Sequence, residues 1–214
     1  LLVELEDLSQ VMAWHAALDA NPLKDQVDAI AAATTLLLTF ATPNSAAAAA
    51  EKLQDFHPTA QAGEDPRFVE IDVLYDGEDL DEAAELMGMS REGLIDWHTS
   101  TEWLAAFGGF APGFTYCTPA DPAQNFNIER RATPRTAVPA GAVGIAGGFS
   151  AVYPRVSPGG WQLLGTTSTP MWESDAHPPA LVQPGDRVRY RAVSSLPEVC
   201  LLYTSPSPRD ATLS

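Results

Sequence analysis

Apolar and polar positions change their period along this chain. "LLVELE" (1–6) alternates with the two-residue period of a half-buried strand. "SQVMAWHAALDA" (9–20) predicts a helix, with Val11, Trp14 and Leu18 on one face and Ser9 as N-cap. "VDAIAAA" and "TLLLTFA" (35–41) predict a pair of strands, and "NSAAAAAEKLQDF" (44–56) a second helix capped at Asn44 or Ser45. "RFVEIDVLY" (67–75) returns to strand through Phe68 or Val69, Ile71 and Val73. That order, β-α-β-β-α-β, is the split βαβ plan of a ferredoxin-like domain over residues 1–76. "LDEAAELMGM" and "SREGLIDWH", the latter capped by Ser90, predict a helical linker over 77–102.

From Trp103 the texture is different. Residues 1–98 contain 4 Gly and 4 Pro, whereas residues 99–197 contain 11 Gly and 12 Pro. Short apolar runs between such turns predict many strands in a closed or nearly closed barrel over 103–195. "RVRYRAV" (187–193) is the clearest strand, with Arg187, Arg189 and Arg191 on one face and Val188, Tyr190 and Ala192 on the other. "AVGIAG" (142–147), "AVYP" and "WQLLGT" (161–166) add further strands. Residues 196–214 have no apolar period and read as a non-native or disordered tail outside the fold. The fold class expected is α+β, in two parts.

Charge separates the same two parts. The 214 residues carry a net charge of −16, and residues 1–98 hold 20 of the 28 acidic groups against 4 of the 12 basic ones. Net acidity argues against a nucleic-acid partner, which needs a cationic face. The longest apolar runs are too short or too polar to span a bilayer, so no membrane partner is expected and the location expected is cytoplasmic. The start at Leu1 reads as that of a fragment or trimmed product. Cys117 and Cys200 form no metal spacing with His15, His57, His98 or His177, and no metal ligand set is expected.

Four segments of the second half combine glycine with aromatics or arginine: "GGFAPGFTY" (108–116), "RRATPR" (130–135), "VPAGAVGIAG" (138–147) and "YPRVSPGGW" (153–161). Glycines serve barrel corners, and they also let a backbone approach a ligand closely. Arg130, Arg131 and Arg135 form the densest positive cluster of an acidic chain. A guanidinium cluster grips carboxylate or phosphate through paired hydrogen bonds, or else pairs with the acidic first half. His98 ends a predicted helix, where the dipole favours it, and is also a candidate acid/base group. No nucleophile elbow, Walker loop, zinc motif or EF-hand loop is present.

In this order the four segments resemble the family of the 5-oxoprolinase B subunit. That family takes in allophanate hydrolase subunit 1, the sporulation-kinase inhibitor KipI and one half of the urea carboxylase carboxyltransferase domain (subdomains C and D). The residues that carry the likeness are Gly109-Phe110, Pro112-Gly113-Phe114 and Tyr116; Arg131 to Arg135; Val138 to Gly141 with Ile145 to Gly147; Tyr153-Pro154; Ser157 to Trp161; and "LVQPGDRV" at 181–188. His98 and Glu102 also match, with Trp103 where the family usually has tyrosine. One departure is Gly165-Thr166-Thr167-Ser168, where the family usually reads Gly-Arg-Thr-Pro.

The resemblance implies a ferredoxin-like domain followed by a cyclophilin-like β-barrel. It also implies one component of a bacterial, ATP-dependent hydrolase that opens 5-oxoproline to L-glutamate. The partners implied are a homologue of the 5-oxoprolinase C subunit and a separate A subunit, with ATP and Mg held in the complex and no biotin on this chain. On this reading His98, Arg131 and Arg135 are the catalytic candidates. Arg131 and Arg135 hold a carboxylate or phosphoryl group, and His98 carries a proton. Gly159 and Gly160 bring backbone amides to an oxyanion, while Phe114, Tyr116, Tyr153, Ser157 and Trp161 complete the substrate-binding set. Alternatives are a regulatory binding protein of the kinase-inhibitor type and a component of urea or allophanate metabolism.

Overall fold

A computed structural model describes residues 1–58 and 66–197. The first three strands form where alternation predicts them. β1 (Leu2–Glu4), β2 (Gln26–Ala31) and β3 (Thr35–Phe40) make an antiparallel sheet in the order β1-β3-β2. α1 (Leu8–Ala20) buries Val11 and Leu18 in one cluster with Leu36 and Leu38, and α2 (Pro43–Leu53) adds Leu53. Both helices begin earlier than expected. The Asp7 carboxylate, not Ser9, caps α1 by accepting the Gln10 N–H at 2.8 Å. Thr42 caps α2 by accepting the Ser45 N–H at 3.1 Å, which leaves Pro43 at the helix start, where its missing N–H costs nothing.

The remaining strands are β4 (Phe68–Val73), β5 (Trp103–Gly108), β6 (Thr115–Pro119), β7 (Arg135–Val138), β8 (Ala142–Ala146), β9 (Phe149–Val152), β10 (Ser157–Gly159), β11 (Gln162–Thr166) and β12 (Arg187–Ala192). Seven of them form one mixed sheet in the order β11-β8-β9-β6-β5-β12-β4. The ferredoxin-like sheet expected over 1–76 is therefore not completed, because its fourth strand joins the larger sheet, parallel to β12. The register gives a physical reason. Val69, Ile71 and Val73 enter the same core as Val188 and Tyr190, while Glu70 lies opposite Arg189 and Asp72 opposite Arg191. Arg191 donates to both oxygens of Asp72, at 2.6 and 2.9 Å. Opposite charges in register select this pairing even though an exposed ion pair adds little stability.

Beyond β4 the sheet curls onto its other edge. Leu74 and Thr166 exchange backbone hydrogen bonds of 2.9 and 2.8 Å, which joins β4 to β11 and nearly closes a barrel. α3 (Leu80–Leu86) and α4 (Arg91–Ser100, capped by Ser90) send Leu80, Ala83, Ala84 and Leu94 into the barrel core. Ala106 and Phe107 of β5 pack with Val11, Leu36 and Leu38, so the small sheet and the barrel share an apolar interface. β7 and β10 form a separate two-stranded ribbon beside the barrel. Cys117 is buried, and burial raises its thiol pKa to about 12. The expected tail and Cys200 fall, from residue 198 onward, outside the described residues. Among the described residues no helix is long and apolar enough to cross a membrane.

Candidate functional site

The β7–β10 ribbon joins three of the four glycine-rich segments. Ser157 pairs with Val138 and Gly159 with Arg135, and the Arg131 N–H donates to the Gly160 carbonyl at 2.8 Å. The ribbon faces the β5–β6 connection, "GGFAPGF", in which Phe110 has φ +63. Between them lies a pocket of about 250 Å³, lined by Phe110, Phe114, Tyr116, Arg130, Pro134, Tyr153, Pro158, Gly159, Gly160 and Trp161. Phe114 stands at the centre of the ring cluster in its wall, edge-on to Tyr116, Tyr153 and Trp161 with ring centroids 5.0, 5.3 and 5.5 Å away. Edge-to-face rings of this kind hold one another in fixed orientation and make a rigid apolar wall. Burial raises the Tyr116 and Tyr153 pKa values above the ordinary phenol range, and the positive charge of Arg130 works against that rise at both.

Of the expected substrate-binding residues, Phe114, Tyr116, Tyr153, Gly159, Gly160 and Trp161 all line this pocket. Ser157 does not; its hydroxyl donates to the Arg155 carbonyl at 3.1 Å, within its own turn. The glycines also have a different reason from the one expected. A Cβ on Gly159 would sit 2.3 Å from the Tyr153 hydroxyl, so the close approach there is to a side chain of the pocket wall. A Cβ on Gly160 would meet nothing nearer than the Pro134 ring at 3.6 Å. Neither glycine has the positive φ of an anion-binding nest.

The arginine cluster divides in two. Arg131 and Arg135 turn away from the pocket and converge on Asp79, a carboxylate only 2% exposed. Arg135 donates to both Asp79 oxygens at 2.8 Å and to Glu78 at 3.0 Å; Arg131 donates to Asp79, and the Leu163 N–H adds a further bond at 2.8 Å. Burial alone would raise the Asp79 pKa, but the Arg135 hydrogen bonds, the Leu163 amide and the two guanidinium charges outweigh it and hold the carboxyl below its ordinary value. The same hydrogen bonds raise the Arg135 pKa. The two arginines expected to grip a ligand are thus engaged by the chain itself. Arg130, their neighbour, faces the pocket and makes no ion pair among the described residues. The sequence places Arg130 in the cluster without separating it from the other two, and it singles out neither Asp79 nor Pro134 and Pro158 as parts of the site. No signal in "RRATPR" separates the arginines, since the segment bends at residues 132 and 133 before β7 begins at Arg135.

His98 lies elsewhere, fully buried among barrel side chains. Its Nδ1 is 2.7 Å from the Tyr75 hydroxyl and its Nε2 is 2.9 Å from Ser150 Oγ, while its ring stacks on Tyr190 at 4.3 Å. Burial lowers its pKa to about 3, so the ring is neutral at pH 7. Both nitrogens are engaged within the core, and this geometry gives His98 no route to a proton in the pocket. Thr166, which stands where the resemblance has arginine, donates to Asp76 at 3.0 Å on the barrel seam, outside the pocket lining. A single unpaired cation in so small a pocket does not fit a nucleoside triphosphate, whose phosphates require several donors. Among the described residues no group of three or more His, Cys, Asp or Glu side chains could hold a metal ion.

Comparison with known proteins relates this geometry to a family. Residues 1–182 match the carboxyltransferase domain, subdomain C and D. The chain is 37% identical over 187 residues to the B subunit of 5-oxoprolinase from Escherichia coli O157:H7, covering 85% of each chain. It is 41% identical over 131 residues to the B subunit of 5-oxoprolinase from Bacillus subtilis, covering 60% of this chain and 54% of the relative. Urea amidolyase of Saccharomyces cerevisiae is 32% identical over 121 residues, 54% of this chain and 6% of that one. Among solved structures, TTHA0988 aligns with a TM-score of 0.73 at 32% identity, covering 91% of this chain and 40% of that one. The urea amidolyase of K. lactis shares the fold, with a TM-score of 0.70 at 17% identity. By its sequence match and its mixed, nearly closed sheet, the chain belongs to the family of the carboxyltransferase domain, subdomain C and D.

Proposed function

We propose that this chain is the B-type component of an ATP-dependent hydrolase that opens the cyclic amide of 5-oxoproline to L-glutamate, and that its aromatic pocket receives the ring. The observation that carries this reading is the pocket itself. Segments from three of the four motifs meet there, on a chain similar over most of its length to a protein named as the B subunit of 5-oxoprolinase. The rigid wall of Phe114, Tyr116, Tyr153 and Trp161 excludes water from a ring laid against it and fixes its orientation. ATP with Mg is assigned to the complex, on a partner of the C-subunit kind, because this pocket does not fit it.

Positioning and water exclusion are this chain's contribution; an acid/base group for the lactam comes from the partner, since His98 is sealed in the core. The test is ATP hydrolysis and glutamate formation with 5-oxoproline, using this chain, a C-subunit homologue and the two together, with the A subunit added in a further arm. Turnover only when both are present is expected, and a Trp161→Ala variant lowers it at least tenfold. No turnover in any mixture removes the reading. The urea amidolyase relatives supply a second reading, and urea and allophanate in the same assay discriminate it.

A further inference from the structure

We propose that Arg130 is the carboxylate-binding residue of the aromatic pocket, and that its ligand is a compact monocarboxylate with a flat, uncharged body. This deepens the reading of the pocket as a substrate site and rests on it. Three observations point the same way. Arg130 is the one charged residue in the pocket lining, and the rest is aromatic rings, prolines and glycines. Its two neighbours in the cluster are held by Asp79, so the fold separates one guanidinium from the other two. The mouth carries Phe110, which is 56% exposed and held at φ +63, edge-on to Phe114 at 5.1 Å.

The chemistry follows from these groups. One planar guanidinium matches one carboxylate through two parallel hydrogen bonds, and it serves a polyphosphate poorly. A pocket of about 250 Å³ lies below the usual range for drug-sized ligands, so the occupant is small. A non-glycine residue in the left-handed region stores backbone strain, which persists where the surroundings over-determine it and clusters at ligand clamps. Phe110 in that conformation presents an exposed ring over the mouth, placed to cover a flat ligand. Arg130 also lies near enough to act electrostatically on Tyr116 and Tyr153 of the pocket wall.

Calorimetric titration with three probes tests the assignment. 5-Oxoproline carries lactam and carboxylate, cyclopentanecarboxylate the carboxylate alone, and 2-pyrrolidinone the lactam alone. The two carboxylates should bind at least tenfold more tightly than 2-pyrrolidinone. Arg130→Gln should weaken both carboxylates at least tenfold and leave 2-pyrrolidinone unchanged. Arg130→Lys, which keeps the charge and loses the fork, should fall between. Arg155→Gln, outside the pocket lining, controls for general loss of positive charge and should change nothing. Equal binding of 5-oxoproline and cyclopentanecarboxylate, abolished by Arg130→Gln, upholds the assignment while removing lactam recognition. Equal binding of 5-oxoproline and 2-pyrrolidinone, or wild-type affinity in a folded Arg130→Gln, overturns it. Binding of none of the three overturns both the assignment and the pocket reading.

Discussion

Gly159 and Tyr153 explain each other. The Tyr153 hydroxyl fills the space where a side chain at 159 would begin, and the ring of Tyr153 forms one wall of the pocket. Gly159→Ala should therefore destabilise the fold by about 1–3 kcal/mol through overpacking. Tyr153→Phe in the same chain should recover part of that loss, since the ring carbons stay at 2.9 and 3.0 Å. A denaturation double-mutant cycle measures the coupling, and additive losses would refute it. His98 makes a second prediction, with a defined sign. The unfolded chain binds its proton near 6.5, whereas the folded chain holds the ring neutral down to about 3. Stability therefore rises with pH between about 3 and 6.5 and is lost as pH falls through that window, by about 2 kcal/mol at pH 5 relative to pH 7. Tyr75, Trp97, Trp103, Ser150 and Tyr190 surround the ring, with no acid among the described residues in contact. Urea titrations at pH 5 and 7 should show this loss in the wild type and not in His98→Asn.

Elements explain why parts of the site were hidden in the sequence. Glycine with aromatics in "GGFAPGF" and "SPGGW" marked two walls of the pocket, because such residues are costly unless they pack or bend for a purpose. The division of the arginines was not legible. It depends on Asp79 at the start of α3, 52 residues before Arg131 and 56 before Arg135, in a segment that reads as linker. Asp79 also accepts the Leu163 N–H, so one carboxylate ties α3, β11 and the arginine loop together. Asp79→Ala should cost about 3 kcal/mol, at the low end for a broken buried ion pair because both guanidiniums keep some contact with water. It should also disorder the loop that carries Arg130, so chemical denaturation and amide exchange at residues 130–135 should respond together. Protection in that loop unchanged by the variant would contradict the role given to Asp79.

At the scale of the molecule, the turn-dense second half was readable as a barrel because strand length and Gly/Pro spacing are local signals. The allegiance of β4 was not readable, since its alternation suits either sheet equally. The deciding features are the Asp72–Arg191 ion pair between β4 and β12 and a seam between Leu74 and Thr166, contacts made over more than 90 residues of sequence. The acidic first half and the neutral second half are joined by apolar packing through Phe107, which leaves the pocket on the barrel side. The central claim is that this pocket is where ligand binds. Nitrogen-15 chemical-shift mapping with 5-oxoproline tests it most directly. Saturable shifts confined to the Gly159, Gly160 and Trp161 amides, the Trp161 indole and the Arg130 side chain are predicted. Shifts that leave these signals unmoved and gather elsewhere, such as the groove lined by Lys24 and Lys52, would contradict it.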